Sequence, residues 1–434
     1  MSDPATDGRK PPHPSLYFLL FLPFGATAGF ISVTIGFLAG KAGLPDSVIA
    51  GMVAMNTLPH TWKFVWAPLV DTIWTSRGWY ITTNLISSAA IISIGFIPIN
   101  EGTIGLLTGI IFINGFSTTF VGMCTESLMA RLTPPEGRGA AGGWSQAGNV
   151  GGSMVGGIGL LIAEGTSYDW LPSLVVGSAL MCCSLALVAV KEPPETGPRP
   201  KFKDSLTALG KDIHGLLIDK KRARKLPSKW LIPLPPVFLA VLSSAGILSI
   251  ALCMMPIGSG GAANLFGAIA GDWGASAKVV GIVNGLGSGA AAIAGSLTGG
   301  YLATRMDKRR AYALSGVILA VFTFGMAAGP RTELFYGLGV LAYYFALGMC
   351  YATFSAFVLD IIGHSGGATK YNLFASLANL PIYAMGLLDG WVATEHGRTA
   401  MLWVDGLSGI VGAVLLMGVV FVLRATKHDP KPAP

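Results

Sequence analysis

Charge is what this chain has least of. Only 12% of its 434 residues are Asp, Glu, Lys or Arg, against about 25% in ordinary soluble domains. That scarcity excludes a globule surrounded by water. Signs of catalysis are missing too: none of the 6 histidines stands in an HExxH zinc motif, and the reading is of a protein that is not an enzyme. Cysteine is sparse, and Cys124, Cys182, Cys183, Cys253 and Cys350 fall inside apolar runs at no metal-ligand spacing. Neither a disulfide framework nor a metal or cofactor site is expected of them. "GLGSGA" at 285–290 loosely fits a nucleotide loop, but it sits in an apolar run with no strand before it.

What the chain has in abundance is apolar length, with 52% hydrophobic residues and 59 glycines. A bilayer core takes roughly 20 mostly apolar residues per helix, and twelve stretches meet that need: 16–40, 47–70, 80–98, 103–130, 140–163, 170–190, 232–257, 278–303, 311–329, 333–360, 370–393 and 400–423. Backbone groups in lipid must bond within their own segment, so these are helices and not strands. The first run is too long for a signal-peptide core and reads as an uncleaved helix. The expected fold is all-α and membranous, twelve helices in two pseudo-symmetric bundles of six. Residues 1–190 form the first bundle and 231–434 the second, with a cytoplasmic linker at 191–230. Leu206, Leu209, Ile213, Leu216 and Leu217 recur there at helical spacing, as in a helix lying on the membrane surface.

Lysine and arginine placement sets the orientation, because short cytoplasmic loops keep positive charge. With both termini in the cytoplasm, only Lys41, Arg331 and Arg398 fall in outer loops, with Lys278 at an outer edge. Topology thus accounts for the net charge of +7 and for "KKRARK" at 220–225, and no nucleic-acid partner is expected. The exception is Lys63, alone inside the second span, "LPHTWKFVWAPLVD". Counted from Asp71 along a continuous helix, Lys63 lies roughly 12 Å inside, His60 roughly 16 Å and Asn56 about 22 Å, all on one face. A charge at that depth costs roughly 2.5–3.5 kcal/mol even on the lenient insertion scale, so the face meets a cavity or a partner and not lipid. Three readings stay open: an anion-accepting cavity, a structural ion pair, and snorkelling. Pro59 withholds an N–H from the carbonyl of Met55 and loosens the backbone there.

Other spans offer polar residues that would line the same cavity: Asn114, Gln146, Asn149, Asn284, Tyr343, Tyr344, Asn379 and Tyr383. For each, an interhelical hydrogen bond is the competing role. Gly148, Gly152 and Gly156 in the fifth span and Gly281, Gly285 and Gly289 in the eighth repeat every four residues. Such stripes suit either sliding contacts or fixed close packing. The halves also echo one another. Asp71 and Arg77 follow the second span as Arg305 follows the eighth, and Glu126 and Arg138 flank the end of the fourth as Asp360 closes the tenth. These six residues are candidates for pairs that gate the inner face.

This duplication resembles the major facilitator superfamily, whose glycine-to-basic signature between helices two and three is similar to "GGYLATRMDKRR", with Thr304 in place of the usual acid. More narrowly, Leu58, Pro59, Lys63, Phe64, Trp66, Ala67, Pro68, Leu69 and Asp71 resemble the second-helix pattern of the peptide and acetyl-coenzyme A transporter family, which includes muropeptide permeases and some siderophore importers. "ESLMARLTPPEGRGAAGG", carried by Glu126, Arg138 and Gly139, and "ATKYNLFASLANL" at 368–380 resemble it too. The resemblance implies a secondary transporter of the bacterial inner membrane, importing a sizeable, anionic small molecule with protons, and a monomer is expected. Glu126, Asp389 and His60 are the titratable candidates for that coupling. The alternatives are a siderophore or acyl-coenzyme A transporter of the same fold, or a sensor or scaffold of that fold, binding without flux.

Overall fold

The structure, a computed structural model, describes residues 11–133, 138–190, 201–217, 252–362 and 373–425. Every expected span but the seventh has its helix among them. The first is α1 (Ser15–Lys41). The second divides into α2 (Asp46–Thr57) and α3 (Ala67–Thr72). Then come α4 (Ser76–Ile94), α5 (Ile104–Leu132), α6 (Arg138–Gly165) and α7 (Leu171–Val188). The linker contributes α8 (Phe202–Leu217), lying against α3. The second half holds the short α9 (Phe266–Ile269), α10 (Ala277–Arg305), α11 (Lys308–Ala328), α12 (Glu333–Ile362), α13 (Leu373–His396) and α14 (Arg398–Ala425). Eight of the described helices are long and apolar enough to cross a bilayer. The face bearing the linker is called the linker face below, and the other, with the turns at 42–45 and 397, the opposite face.

Small residues let the helices within each half meet backbone to backbone. Gly148, Gly152 and Gly156 of α6 rest on the main chain of Phe18, Leu22, Ala26 and Phe30 in α1, where a Cβ would overlap backbone atoms. Gly115 of α5 seats on the Asn56 backbone of the second span as Gly348 of α12 seats on Ala292 of the eighth, so the duplication is visible in the packing.

Two expectations about the helices need correcting. The second span is not continuous: two 3-10 turns, Leu58–Thr61 and Lys63–Val65, separate α2 from α3. The missing N–H of Pro59 breaks the ladder there, so the depths counted on a regular helix do not hold. The seventh span is not followed by a plain loop either. After residue 253 the chain turns through Gly258 and Gly260, at φ of 65° and 70°, a left-handed geometry that glycine adopts without strain. It then re-enters the bundle through residues 262–273, where Ala262, Leu265, Phe266, Ile269 and Ala270 are fully buried. This segment packs on α1, with Ala268 against Gly40 and Gly267 against Val33. Residues 232–251, the loop 134–137, "KKRARK" and the entry to the eleventh span at 363–372 lie outside the described residues.

Candidate functional site

The break in the second span shapes the candidate site. Unwinding frees carbonyls that a helix would have used, and two of them find side-chain donors. Thr61 Oγ1 donates to Leu58 O at 2.8 Å, and Asn379 Nδ2, from the other half, reaches His60 O at 3.5 Å. Helix α5 props the unwound stretch from behind: Trp66 Nε1 donates to Thr119 Oγ1 at 3.0 Å, and Thr118 Oγ1 lies 3.4 Å from His60 Nε2. The Phe24 ring packs edge-on to His60 at 4.8 Å. The His60 imidazole is buried, and its Nδ1 has no hydrogen-bond partner among the described residues.

Lys63 is 8% exposed. Among the described residues no carboxylate pairs with it. A buried lysine with no carboxylate partner among the described residues, beside the junction of the halves at His60 and Asn379, is a place where a negative group on a ligand would be stabilised.

The other candidates divide into groups. Asn56 and Asn114 are buried and bonded to each other, Asn114 Nδ2 donating to Asn56 Oδ1 at 2.8 Å while Ser87 Oγ donates to Asn114 Oδ1 at 2.7 Å. This chain ties the second, third and fourth spans. Asn284 donates to Tyr336 at 2.8 Å, and Tyr336 in turn donates to Phe266 O at 2.8 Å, which pins the re-entrant segment to α10 and α12. Tyr343 is fully buried and donates to Asp405 at 3.1 Å. Tyr344, Asn149 and Tyr383 are half-buried. The side chains of Gln146, Asp71, Arg138 and Asp360 lie outside what is described. Of the remaining gating candidates, Arg77 is half-buried, Arg305 lies 5.1 Å over the Tyr301 ring, and Glu126 Oε2 is buried without a described partner.

Among the described residues an ion pair joins the halves on the opposite face, and sequence reasoning missed it. Arg398 Nε donates to Asp46 Oδ2 at 2.8 Å and its Nη2 to Asp46 Oδ1 at 3.1 Å, while Nη1 holds Asp272 at 2.6 Å. Ser47 N–H donates to Thr394 Oγ1 at 2.8 Å beside it. Deeper on the same side, Gly157 of α6 meets Gly285 of α10, and Gly390 of α13 meets Ala50 of α2. The opposite face is therefore closed by direct contact between the halves.

Two helical bundles, closed together at one face around a buried cation and a broken helix, define a multi-pass membrane transporter of small molecules. The family profile described as Major Facilitator Superfamily matches residues 15–259 and 248–434, and the chain belongs to that superfamily. An anhydromuropeptide permease of Escherichia coli (strain K12) is 25% identical over 387 residues, 86% of this chain and 72% of that protein. Among solved structures, the nucleoside transporter NupG aligns with a TM-score of 0.67 at 13% identity, over 93% of this chain and 98% of that one. A D-xylose-proton symporter aligns at 0.67 and 16% identity, over 93% and 96% of the two chains. These structures share the fold.

Proposed function

We propose that this transporter imports an anionic metabolite, a muropeptide, together with protons across a bacterial inner membrane, as a monomer with both termini in the cytoplasm. In that orientation the linker face is cytoplasmic and the closed opposite face makes this an inward-facing state. The observation that carries the reading is Lys63, a buried cation without a described counter-ion where the second span unwinds against the eleventh. The permease relative supports the cargo, since a muropeptide has carboxylates for an ammonium to hold. Its likeness covers most of both chains. Uptake of labelled anhydromuropeptide into proteoliposomes, with and without an imposed proton gradient, is the test. Wild type accumulates the label when the gradient is present and Lys63→Ala does not. Equal uptake by the two proteins removes Lys63 from the site. No uptake by wild type removes the muropeptide and moves the trial to siderophores and acyl-coenzyme A, while binding without flux identifies a sensor.

A further inference from the structure

A second set of buried charges lies in the C-terminal half, away from Lys63. Asp389 of α13 is fully buried and Asp405 of α14 is 5% exposed, and two consecutive residues bring them side by side, Gly261 lying against the carboxyl of Asp389 and Ala262 N–H donating to that of Asp405. Asp405 is provided with donors: Ala262 N–H reaches Oδ1 at 3.3 Å and Tyr343 O–H reaches Oδ2 at 3.1 Å. Asp389 has none, for neither of its oxygens accepts a hydrogen bond from any described group. Gly261 presses on Asp389 so closely that a Cβ there would overlap its Oδ2.

An ionised carboxylate accepts and cannot donate, so two neighbouring carboxylates with donors for only one of them are an unstable arrangement in a dry interior. The conflict disappears if Asp389 carries a proton and donates it to Asp405. No cation competes for that place among the described groups. Thr323 of α11 and Tyr343 of α12 are the neutral groups beside Asp405. Arg398 is occupied by Asp46 and Asp272, and Arg331 lies 4.1 Å over the Trp273 ring and donates to Thr399 at 2.6 Å. Glu395 and His396 are exposed at the end of α13.

Position links this proton to the movement of the halves. Gly390, the neighbour of Asp389, packs on Ala50 of α2, and Thr394 further along α13 accepts from Ser47. We propose that Asp389 and Asp405 are the proton-carrying site of the transporter: Asp389 takes up a proton from the opposite face and donates it to Asp405 while that face is closed. This deepens the proton coupling proposed above and rests on it. Protonation favours closure because Gly390, next to Asp389, seats on Ala50 of the other half in the closed state, and a doubly ionised pair resists the dry surroundings it has there.

The first test needs no substrate. Spin labels at Lys41→Cys and Glu395→Cys, in a Cys182→Ser background, report the separation of the halves at the opposite face as pH is varied. Wild type populates longer separations as pH rises. Asp389→Asn keeps a donor toward Asp405, mimics the protonated acid, and holds the short separation at every pH. Asp405→Asn also loses the pH response, and serves if the first variant fails to fold. A wild-type distribution that ignores pH, or an Asp389→Asn response equal to wild type, overturns the proposal. The second test compares gradient-driven accumulation with substrate counterflow in proteoliposomes. Asp389→Asn retaining counterflow while losing gradient-driven accumulation supports the site, and gradient-driven accumulation at the wild-type level refutes it. Loss of all flux in wild type counts against the functional reading and leaves the spin-label outcome to decide this one.

Discussion

Removing the Arg398 guanidinium should open the opposite face, and the structure sets the size of the effect. Arg398 makes two kinds of contact. The pair with Asp272 lies within the C-terminal half, and it survives when the halves separate, so it contributes nothing to the difference between closed and open. The two bonds to Asp46 cross the junction and are lost on opening. Asp46 is 7% exposed and Arg398 is 28% exposed. Breaking a fully buried pair costs about 3–5 kcal/mol, whereas an exposed one is worth about 0–1. A junction with one buried and one partly wetted partner falls between, at about 2 kcal/mol, or roughly a 30-fold change in the closed-to-open ratio. Arg398→Gln is the perturbation, and pulsed spin-label distances between Lys41→Cys and Glu395→Cys give the populations. A double-mutant cycle with Asp46→Asn isolates the crossing term. The expected result is that either variant alone shifts the population toward open and that the double variant adds little to the larger effect. Strictly additive shifts, or none, would refute the latch.

Three further outcomes follow from the packing and the polar ties. Gly152→Val places a side chain into the backbone of α1 and should cost about 1–3 kcal/mol, read as a lower melting temperature in detergent, while Gly109→Ala, inside a helix with open space around it, does not lower melting. Asn114→Leu leaves Asn56 and Ser87 without their shared partner and should destabilise by about 1–3 kcal/mol; a value under about 0.6 kcal/mol, the average for hydrogen bonds between membrane helices, would show the chain to be incidental. Pro59→Ala restores a donor to the second span, and hydrogen exchange at residues 58–65 should slow as the helix heals, with uptake falling in parallel.

The spans were legible because the bilayer imposes a length that composition reveals at once, and the resemblance of the second span pointed to the superfamily that the profile match established. Lys63 was legible for the same reason, as a charge inside an apolar run. Asp405 carries that signal too, in "LWVDGLSG", but its partner Asp389 stands sixteen residues away, and only the fold brings the two together. The latch was harder to see. Asp46, Asp272 and Arg398 look like ordinary loop charges, and only the fold brings residues 46 and 398 together. The re-entrant segment after residue 258 was announced by Pro256 and the glycines that follow, but helical pattern alone does not distinguish a chain that leaves the bundle from one that turns back into it.

The fifth span rests on two neighbours of different kinds. Gly156 faces α1 within its own half, and the very next residue, Gly157, faces α10 across the junction. If the halves rock against each other as proposed, the first contact persists and the second is made and unmade once per cycle. A bulky residue at Gly156 is then a fault of assembly, seen as lost stability of the N-terminal half. The same residue at Gly157 spares that half and shows itself only as a slower turnover. Two adjacent codons thus fall under separate regimes of selection, one answerable to folding and the other to speed.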